Sequence, residues 1–282
     1  MVTFIAILIS VIISLAYSQS QTKCGIKSVM IVVLENRDEL EVLQNAYMTQ
    51  LKERGYYLSN MFGVSHPSQP NYLAMISGST QGCIDDSDVN YGTKSIVDLL
   101  EAKDLTWKSY QEDYPGSCFT GSAFSQYRRK HNPFISFTSI RENATRCANI
   151  VNSSQLDIDA SNDALPNYMF YTPGMDDDGH DTTVDYATSW LQKFLEPKLV
   201  DPAYSTTLFM ITHDESRSVS PNHIYTVLIG AGIKGVGFVD ETYYDHYSLL
   251  ATTEALFGLG CLDQNDATAS KIPLSDFCGY VH

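Results

Sequence analysis

Short apolar runs recur along the chain with the length and composition of buried β-strands. The run at residues 28–34 is continuously apolar and rich in β-branched residues, which is typical of a strand that is buried on both faces of a sheet. Similar runs occur at residues 167–171, 207–212 and 224–229. These runs predict strands of one central sheet.

Between the apolar runs lie stretches that favour helices, at residues 38–54, 95–103, 183–195 and 247–256. Strands that alternate with helices indicate an α/β fold with a mostly parallel central sheet and helices on both faces. In such sheets, ligands bind beyond the carboxyl ends of the strands. The residues directly after each predicted strand are therefore the first place to look for a site.

The length and charge of the chain narrow its class. The 282 residues suit one large α/β domain or two small ones, and no repeat, low-complexity stretch or linker divides them. We therefore interpret residues 19–282 as a single catalytic domain. The formal net charge of −15 argues against a nucleic-acid partner. An acidic protein that binds phosphate needs local positive charge, which a metal ion can supply.

Residues 1–18 are interpreted as a signal peptide. The apolar run at 4–16 is short for a membrane span, and the small residues Ala16 and Ser18 suit a cleavage site. No Lys or Arg precedes the run, so a buried N-terminal strand is the alternative. We expect a protein that is secreted, extracellular or in the cell wall, with no stable membrane anchor.

The cysteines and glycosylation triplets agree with secretion. The chain has six cysteines, and an even number in a secreted protein predicts disulfide bonds, although the sequence leaves their pairing open. N-glycosylation triplets begin at Asn143 and Asn152.

Polar clusters follow three of the predicted strands. Glu35 and Asn36 come directly after the first strand, residues 176–181 (DDDGHD) follow the second, and residues 213–215 (HDE) end the third. Carboxylate, amide and imidazole groups are common metal ligands. Asn36 could instead cap a helix, and residues 176–181 could be a solvated acidic loop. Three ionisable residues at the end of an apolar strand are costly to bury without a partner, and a metal is the obvious one.

Two more clusters lie where helices are predicted to begin. Ser68, within the segment SHPSQPNY at 65–72, would sit at a helix N-terminus, where free N–H groups and the helix dipole favour negative charge. That position suits a serine that becomes phosphorylated, although Ser68 could equally cap the helix while Pro70 begins it. His246 could cap the last helix or bind a metal.

The chain resembles the phosphoesterase family that contains fungal secreted acid phosphatases and bacterial phospholipases C. The resemblance is carried by VVLENR at 32–37, FGVSHPSQPNYLA at 62–74, YQED at 110–113, RKHNP at 129–133, MFYTPGMDDDGHD at 169–181, FLEP at 194–197, ITHDE at 211–215 and DHYSLLATTEALFGLG at 245–260. These segments occur in the family's order and span nearly the whole mature chain. The resemblance implies the three-layer sandwich of the alkaline phosphatase superfamily.

The resemblance also implies roles for individual residues. A divalent metal ion, either zinc, magnesium or calcium, would be bound by Glu35, Asn36, Asp214 and Glu215, with Asp178 and Asp176 as further candidates. Ser68 matches the nucleophile, His180 matches a histidine of the site, and His246 takes the place of a late ligand or an acid/base histidine. The expected phosphate contacts are Asn71, Lys130 and His131. One metal ion or two would fit this set.

Together these features predict a metal-dependent acid phosphatase that hydrolyses small phosphate monoesters through a phosphoserine. A protonated histidine is the better general acid, so an acid pH optimum would fit. A phospholipase C-like phosphodiesterase with the same nucleophile is the nearest alternative, because the sequence does not show the leaving-group pocket. A non-catalytic secreted glycoprotein on the same fold is a further alternative, but it would be expected to lack the nucleophile or a ligand.

Overall fold

The computed structural model describes residues 25–233 and 237–273. The predicted signal peptide, Cys24 and Cys278 lie outside the described residues. An eight-stranded sheet with the order β11-β2-β10-β9-β1-β8-β4-β7 forms the centre of the structure. Its strands are β1 (Ser28–Leu34), β2 (Tyr56–Leu58), β4 (Trp107–Gln111), β7 (Ile150–Asn152), β8 (Tyr168–Thr172), β9 (Thr207–His213), β10 (Thr226–Gly230) and β11 (Phe238–Asp240). Two small ribbons pair β3 (Met61–Phe62) with β12 (Tyr244–Asp245), and β5 (Ala123–Phe124) with β6 (Tyr127–Arg128).

The predicted mostly parallel sheet is confirmed. Strand β1 is parallel to both of its neighbours, β8 and β9, and β4 continues the parallel order to β7. Strand β10 differs, because it runs antiparallel to β9 and to β2. No helix separates β9 from β10, and a parallel return needs a crossover that is usually helical.

Helices cover both faces of the sheet. They are α1 (Glu39–Val42), α2 (Ala46–Arg54), α3 (Ser68–Ser77), α4 (Ile96–Glu101), α5 (Thr138–Arg141), α6 (Ala144–Cys147), α7 (Gln155–Ser161), α8 (Val184–Val200) and α9 (His246–Phe257). Along β1, Val29, Ile31 and Val33 pack into the core beneath α3, α4 and α9. Met30 and Val32 point to the opposite core, beneath α2 and α8. Successive side chains of a strand face opposite sides, so one apolar run supplies both cores of a three-layer sandwich.

One predicted helix is divided into two in the structure. The predicted helix at 38–54 is broken, because the Asn45 side chain accepts hydrogen bonds from Tyr47 N and Met48 N and begins α2 as a new helix. Strand β4 and the edge strand β7 were not predicted. Strand β4 carries polar residues such as Lys108, whose ammonium group pairs with Asp159, so it lacks a continuous apolar run.

A disulfide bond joins Cys118 to Cys147, while Cys83 and Cys261 are free thiols. Asn143 is exposed at the start of α6, and Asn152 is partly buried. Within residues 25–233 and 237–273, no helix has both the length and the apolar character to cross a membrane.

Candidate active site

The three polar clusters predicted from strand ends converge at one edge of the sheet. The strands β8, β1 and β9 are adjacent and parallel, so their carboxyl ends lie side by side. Backbone hydrogen bonds continue past these ends, from Glu35 N to Asp178 O at 2.9 Å and from Asp214 N to Leu34 O at 3.0 Å. The three clusters therefore form one group of side chains.

Ser68 joins this group from the first turn of α3. Its hydroxyl is almost completely buried and donates to Glu35 Oε2 at 3.0 Å, with Glu215 Oε1 at 3.4 Å as a second acceptor. Helix α3 is buried along its whole length and packs against α9. The serine is thus held at a helix N-terminus between two carboxylates, as the sequence predicted for its position.

The Asn71 side chain, in the first turn of α3, bonds to the backbone of the segment that precedes Ser68. Its Oδ1 accepts from Val64 N at 2.8 Å and from Ser65 N at 3.0 Å, and its Nδ2 donates to Ser65 O and Pro67 O. An amide has two acceptor and two donor positions, and all four are used. Asn71 thus ties the segment before Ser68 to α3, and its predicted contact with phosphate stays a prediction.

A buried cluster of Glu35, His131 and Asp178 has the composition of a metal site. One ligand atom from each of the three residues lies within 4.8 Å of the other two. His131 Nε2 is 3.3 Å from Glu35 Oε1, and His131 Nδ1 is 3.6 Å from Asp178 Oδ2. The Tyr72 hydroxyl donates to Glu35 Oε1, and the Tyr72 ring stacks on His131 with 5.0 Å between the ring centroids. His131, predicted as a phosphate contact, lies among the candidate metal ligands.

Asp214, Glu215 and Asn36 extend this cluster. Asn36 adopts a left-handed φ of 46°, and its backbone N donates to Asp214 Oδ1 at 3.1 Å. One end of the Asn36 side-chain amide lies 3.1 Å from Glu215 Oε1 and 3.3 Å from Glu35 Oε2. As a nitrogen, that end would donate to both carboxylates; as an oxygen, it would add a ligand for a shared cation.

The electrostatics of the cluster fit a cation. Burial raises the pKa of Glu35 and of Asp178 well above their ordinary values, and Asp214 raises both further. Burial also raises the pKa of Asp214, and it raises the pKa of Glu215 to about 8 together with the nearby Asp214 carboxylate. Asp178 Oδ2 and Asp214 Oδ2 are buried without a hydrogen-bond partner. Four buried carboxylates this close are costly unless positive charge neutralises them.

His180, predicted as a histidine of the site, lies beside the cluster and stays partly exposed. Its backbone N donates to Asp178 Oδ1, which fixes it beside the cluster, and its ring centroid is 6.3 Å from that of His131. Its Nδ1 is 2.7 Å from Asp181 Oδ1, so the carboxylate orients the ring. The side chain keeps 29% of its surface exposed, which leaves a path to solvent.

The two remaining predicted site residues are His246 and Asp176. His246 is fully buried with its Nε2 2.5 Å from the carbonyl oxygen of Asp214, and burial lowers its pKa to about 4. Its contact with the Asp214 backbone supports the chain segment that carries a candidate ligand. Asp176 lines a neighbouring cavity with Glu112 and Asp177 and is not part of the Glu35 cluster.

Two residues that contact the site had no role assigned from the sequence. His66 Nδ1 lies 2.5 Å from Glu215 Oε2, and Asp86 Oδ2 accepts from Lys130 Nζ at 3.0 Å. His66 is two residues before Ser68 in a segment that was already singled out, so its position was a usable signal. Asp86 lies in a loop with no such signal.

Sequence comparison with known proteins shows which family the chain resembles. Residues 40–260 match the sequence profile of the phosphoesterase family. The chain is 38% identical over 261 residues to a probable acid phosphatase of Kluyveromyces lactis, covering 88% of this chain and 62% of the relative. It is 30% identical over 256 residues to a phosphatidylinositol-3-phosphatase of Mycobacterium tuberculosis, covering 89% of this chain and 82% of the relative. The chain spans 59% to 63% of the length of the fungal acid phosphatases that it matches.

The fold has counterparts among solved structures. A Vibrio parahaemolyticus protein described as a member of the alkaline phosphatase superfamily superposes with a TM-score of 0.60 at 13% identity, covering 90% of this chain and 73% of that one. This likeness confirms the predicted three-layer architecture. The profile match and the identities confirm the resemblance found in the ordered motifs, and the chain belongs to the phosphoesterase family.

Proposed function

We propose that this chain is a phosphatase that hydrolyses phosphate monoesters with Ser68 as its nucleophile. The observation that carries the proposal is the position of the Ser68 hydroxyl, which is buried at the N-terminus of α3 and shared between Glu35 and Glu215. Helix N-terminal N–H groups and the helix dipole stabilise the negative charge of a phosphoryl group there. The similarity to proteins named acid phosphatases supports the same reaction class.

The reaction would proceed in two displacements. Ser68 Oγ attacks phosphorus while its proton passes to the Glu35 carboxylate, and the bond from phosphorus to the leaving alcohol breaks as His180 gives a proton to that alcohol. A water molecule then attacks the phosphoserine and gives a proton to His180, the bond from phosphorus to Ser68 Oγ breaks, Ser68 regains its proton from Glu35, and inorganic phosphate is released. Asp181 holds the His180 ring in one orientation throughout. Lys130, whose charge faces the cluster, would stabilise the phosphoryl oxygens.

A divalent cation, either zinc, magnesium or calcium, fits the buried carboxylates. The residues that would hold it are Glu35, Asn36, Asp178, Asp214 and Glu215, with His131 as a nitrogen ligand. When bound, such an ion supplies Lewis-acid stabilisation of oxygen anions. His246 would support the ligand set through the Asp214 backbone.

We further propose that residues 19–282 act as one secreted catalytic domain on small phosphate esters. The signal-peptide pattern and the disulfide between Cys118 and Cys147 support secretion. A phosphorylated inositol lipid is a second candidate substrate, favoured by the relative named phosphatidylinositol-3-phosphatase, of which this chain covers 82%.

A substrate panel tests the proposal. Hydrolysis of p-nitrophenyl phosphate, bis-p-nitrophenyl phosphate, p-nitrophenyl phosphocholine and phosphatidylinositol 3-phosphate would be compared at about pH 5 and about pH 8, with and without a chelator. The proposal expects monoester turnover that a chelator abolishes and that is favoured at the lower pH. Preference for the diester or the phosphocholine would reassign the chain to phosphodiesterases, and no turnover of any substrate in the presence of metal would contradict an enzymatic role.

A further inference from the structure

One carboxylate, that of Asp86, bridges two hydrogen-bond donors beside the nucleophile. Its Oδ1 accepts from the backbone N of Gln69 at 3.0 Å, and its Oδ2 accepts from Lys130 Nζ at 3.0 Å. Gln69 directly follows Ser68, so its N–H is one of the donors at the start of α3 that have no partner within the helix. Asp86 thus joins the first turn of the nucleophile's helix to Lys130.

The two donors, Gln69 N and Lys130 Nζ, both lie near the Ser68 hydroxyl. The Lys130 charge lowers the pKa of Glu35, Asp178 and Glu215, so its ammonium group faces the carboxylate cluster. The Asp86 charge raises the pKa of Glu215, so the Asp86 carboxylate faces the same space. About a third of the Asp86 side-chain surface remains exposed, at 32%, which allows it to move.

A helix N-terminal N–H and an ammonium group are the donors that proteins use for phosphate oxygens. We propose that the two oxygens of Asp86 occupy the positions of two phosphoryl oxygens, and that Asp86 is therefore a specificity-determining residue that substrate phosphate displaces. The inference rests on the proposed role of the Ser68 site in binding phosphate.

This arrangement has a consequence for the product. Without substrate, the Asp86 carboxylate neutralises Lys130 and keeps its side chain in place. Inorganic phosphate must compete with a carboxylate that is already bonded to both donors and that repels it. Asp86 thus weakens the binding of phosphate and favours its release after hydrolysis.

The test is the affinity of inorganic phosphate, measured by calorimetry on the protein as purified, for the wild type, Asp86→Asn and the matched control Asp85→Asn. Asp85 carries the same charge one residue earlier, and its side chain accepts a hydrogen bond from Ser87 N. We expect Asp86→Asn to bind phosphate about tenfold more tightly, since a charged donor is released, and Asp85→Asn to match the wild type. In a Lys130→Met background, the added Asp86→Asn change should tighten binding much less.

Equal or weaker phosphate binding by a folded Asp86→Asn variant would overturn the inference and make Asp86 a residue that only positions Lys130. The absence of phosphate binding in both the wild type and the variant would also overturn the inference. If Asp86→Asn fails to fold, as thermal unfolding would reveal, Asp86→Ser is measured against the same criterion. Calorimetry needs no turnover, so the result is separate from the outcome for Ser68 as the nucleophile.

Discussion

The Ser68 hydroxyl donates to Glu35 Oε2 across 3.0 Å, which links the first turn of α3 to the end of the central strand β1. Residues 33 positions apart in the chain are brought together because α3 packs over the carboxyl edge of the parallel sheet. The contact places a nucleophilic hydroxyl against a carboxylate whose pKa burial raises well above its ordinary value. The predictions below follow from this arrangement.

Replacing Ser68 with alanine should abolish turnover while the protein still folds. The loss of the nucleophile should lower kcat for p-nitrophenyl phosphate by ~10³-fold or more. Ser65→Ala is the control, because the Ser65 hydroxyl donates to the backbone oxygen of the adjacent His66. Steady-state kinetics would be measured beside thermal unfolding for both variants. Turnover by Ser68→Ala at the wild-type level would rule Ser68 out as the nucleophile.

His180→Gln should slow the hydrolysis of each substrate in proportion to its leaving group's need for a general acid. We expect kcat/KM, which reports the reaction up to release of the alcohol, to fall ~10²-fold for an alkyl phosphate, and much less for p-nitrophenyl phosphate, whose leaving group needs no protonation. Asp181→Asn, which weakens the orientation of the His180 ring, should show the same pattern more weakly.

Asp185→Asn is the matched control for these variants, because Asp185 is exposed and bonds to Asn45 away from the cluster. A uniform loss of kcat/KM across leaving groups in His180→Gln would mean that His180 contacts the substrate without acting as an acid.

Metal removal should destabilise the protein more at about pH 8 than at about pH 5. Glu35, Asp178, Asp214 and Glu215 have raised pKa values in the folded protein, so the folded state holds protons that the unfolded state has released. Without metal, the contribution of these four groups to stability is therefore greatest at low pH and is lost as the pH rises toward their raised pKa values. A cation at 100 times its dissociation constant would restore about 2.7 kcal/mol.

Differential scanning fluorimetry, with and without chelator and with each of zinc, magnesium and calcium added back, measures this effect without turnover. Asp214→Asn should reduce the shift that the metal produces. A melting temperature that neither chelator nor any of the three metals changes at either pH would contradict a cation in this cluster.

Glu254 should make a separate contribution to the pH dependence of stability. It is 1% exposed in α9, neither carboxylate oxygen has a hydrogen-bond partner, and burial with the nearby Asp266 raises its pKa to about 8. The folded state keeps this proton between the ordinary pKa of a glutamate and about pH 8, so stability falls as the pH rises, by ~1 kcal/mol per unit.

Glu254→Gln should therefore raise the free energy of unfolding at neutral to alkaline pH and change it little near about pH 4. Chemical denaturation across the pH range checks this, with the exposed Glu142→Gln as control. A variant whose stability keeps the full wild-type slope would show that Glu254 is not the group responsible.

The sequence indicated that the clusters meet at the carboxyl end of the sheet, because that part of the site depends on strand order. Glu35, Asp178 and Asp214 each follow a strand of a parallel sheet, and three adjacent strands bring them together without any knowledge of loops. The position of His131 depends instead on the short helical turn Arg129–His131, whose packing against α3 has no periodic signal.

Asn71 and Asp86 show why the remaining contacts could not be predicted. A motif indicates that an amide follows the serine, but only the loop geometry shows that backbone groups already use all of its hydrogen-bonding positions. The bond from Lys130 to Asp86 spans 44 residues between two irregular segments, so neither residue type nor spacing points to it. Long-range pairing between loops is decided by tertiary packing.

The most direct test of the account is to trap the covalent intermediate on Ser68. The protein would be mixed with p-nitrophenyl phosphate, quenched in acid within the first turnover, digested and analysed by mass spectrometry. The account predicts one added phosphoryl group on the peptide that contains Ser68, absent from Ser68→Ala and more abundant in His180→Gln, in which hydrolysis of the phosphoserine is slowed. A phosphoryl group on another residue, or catalytic turnover with no covalent phosphoprotein even in His180→Gln, would contradict it.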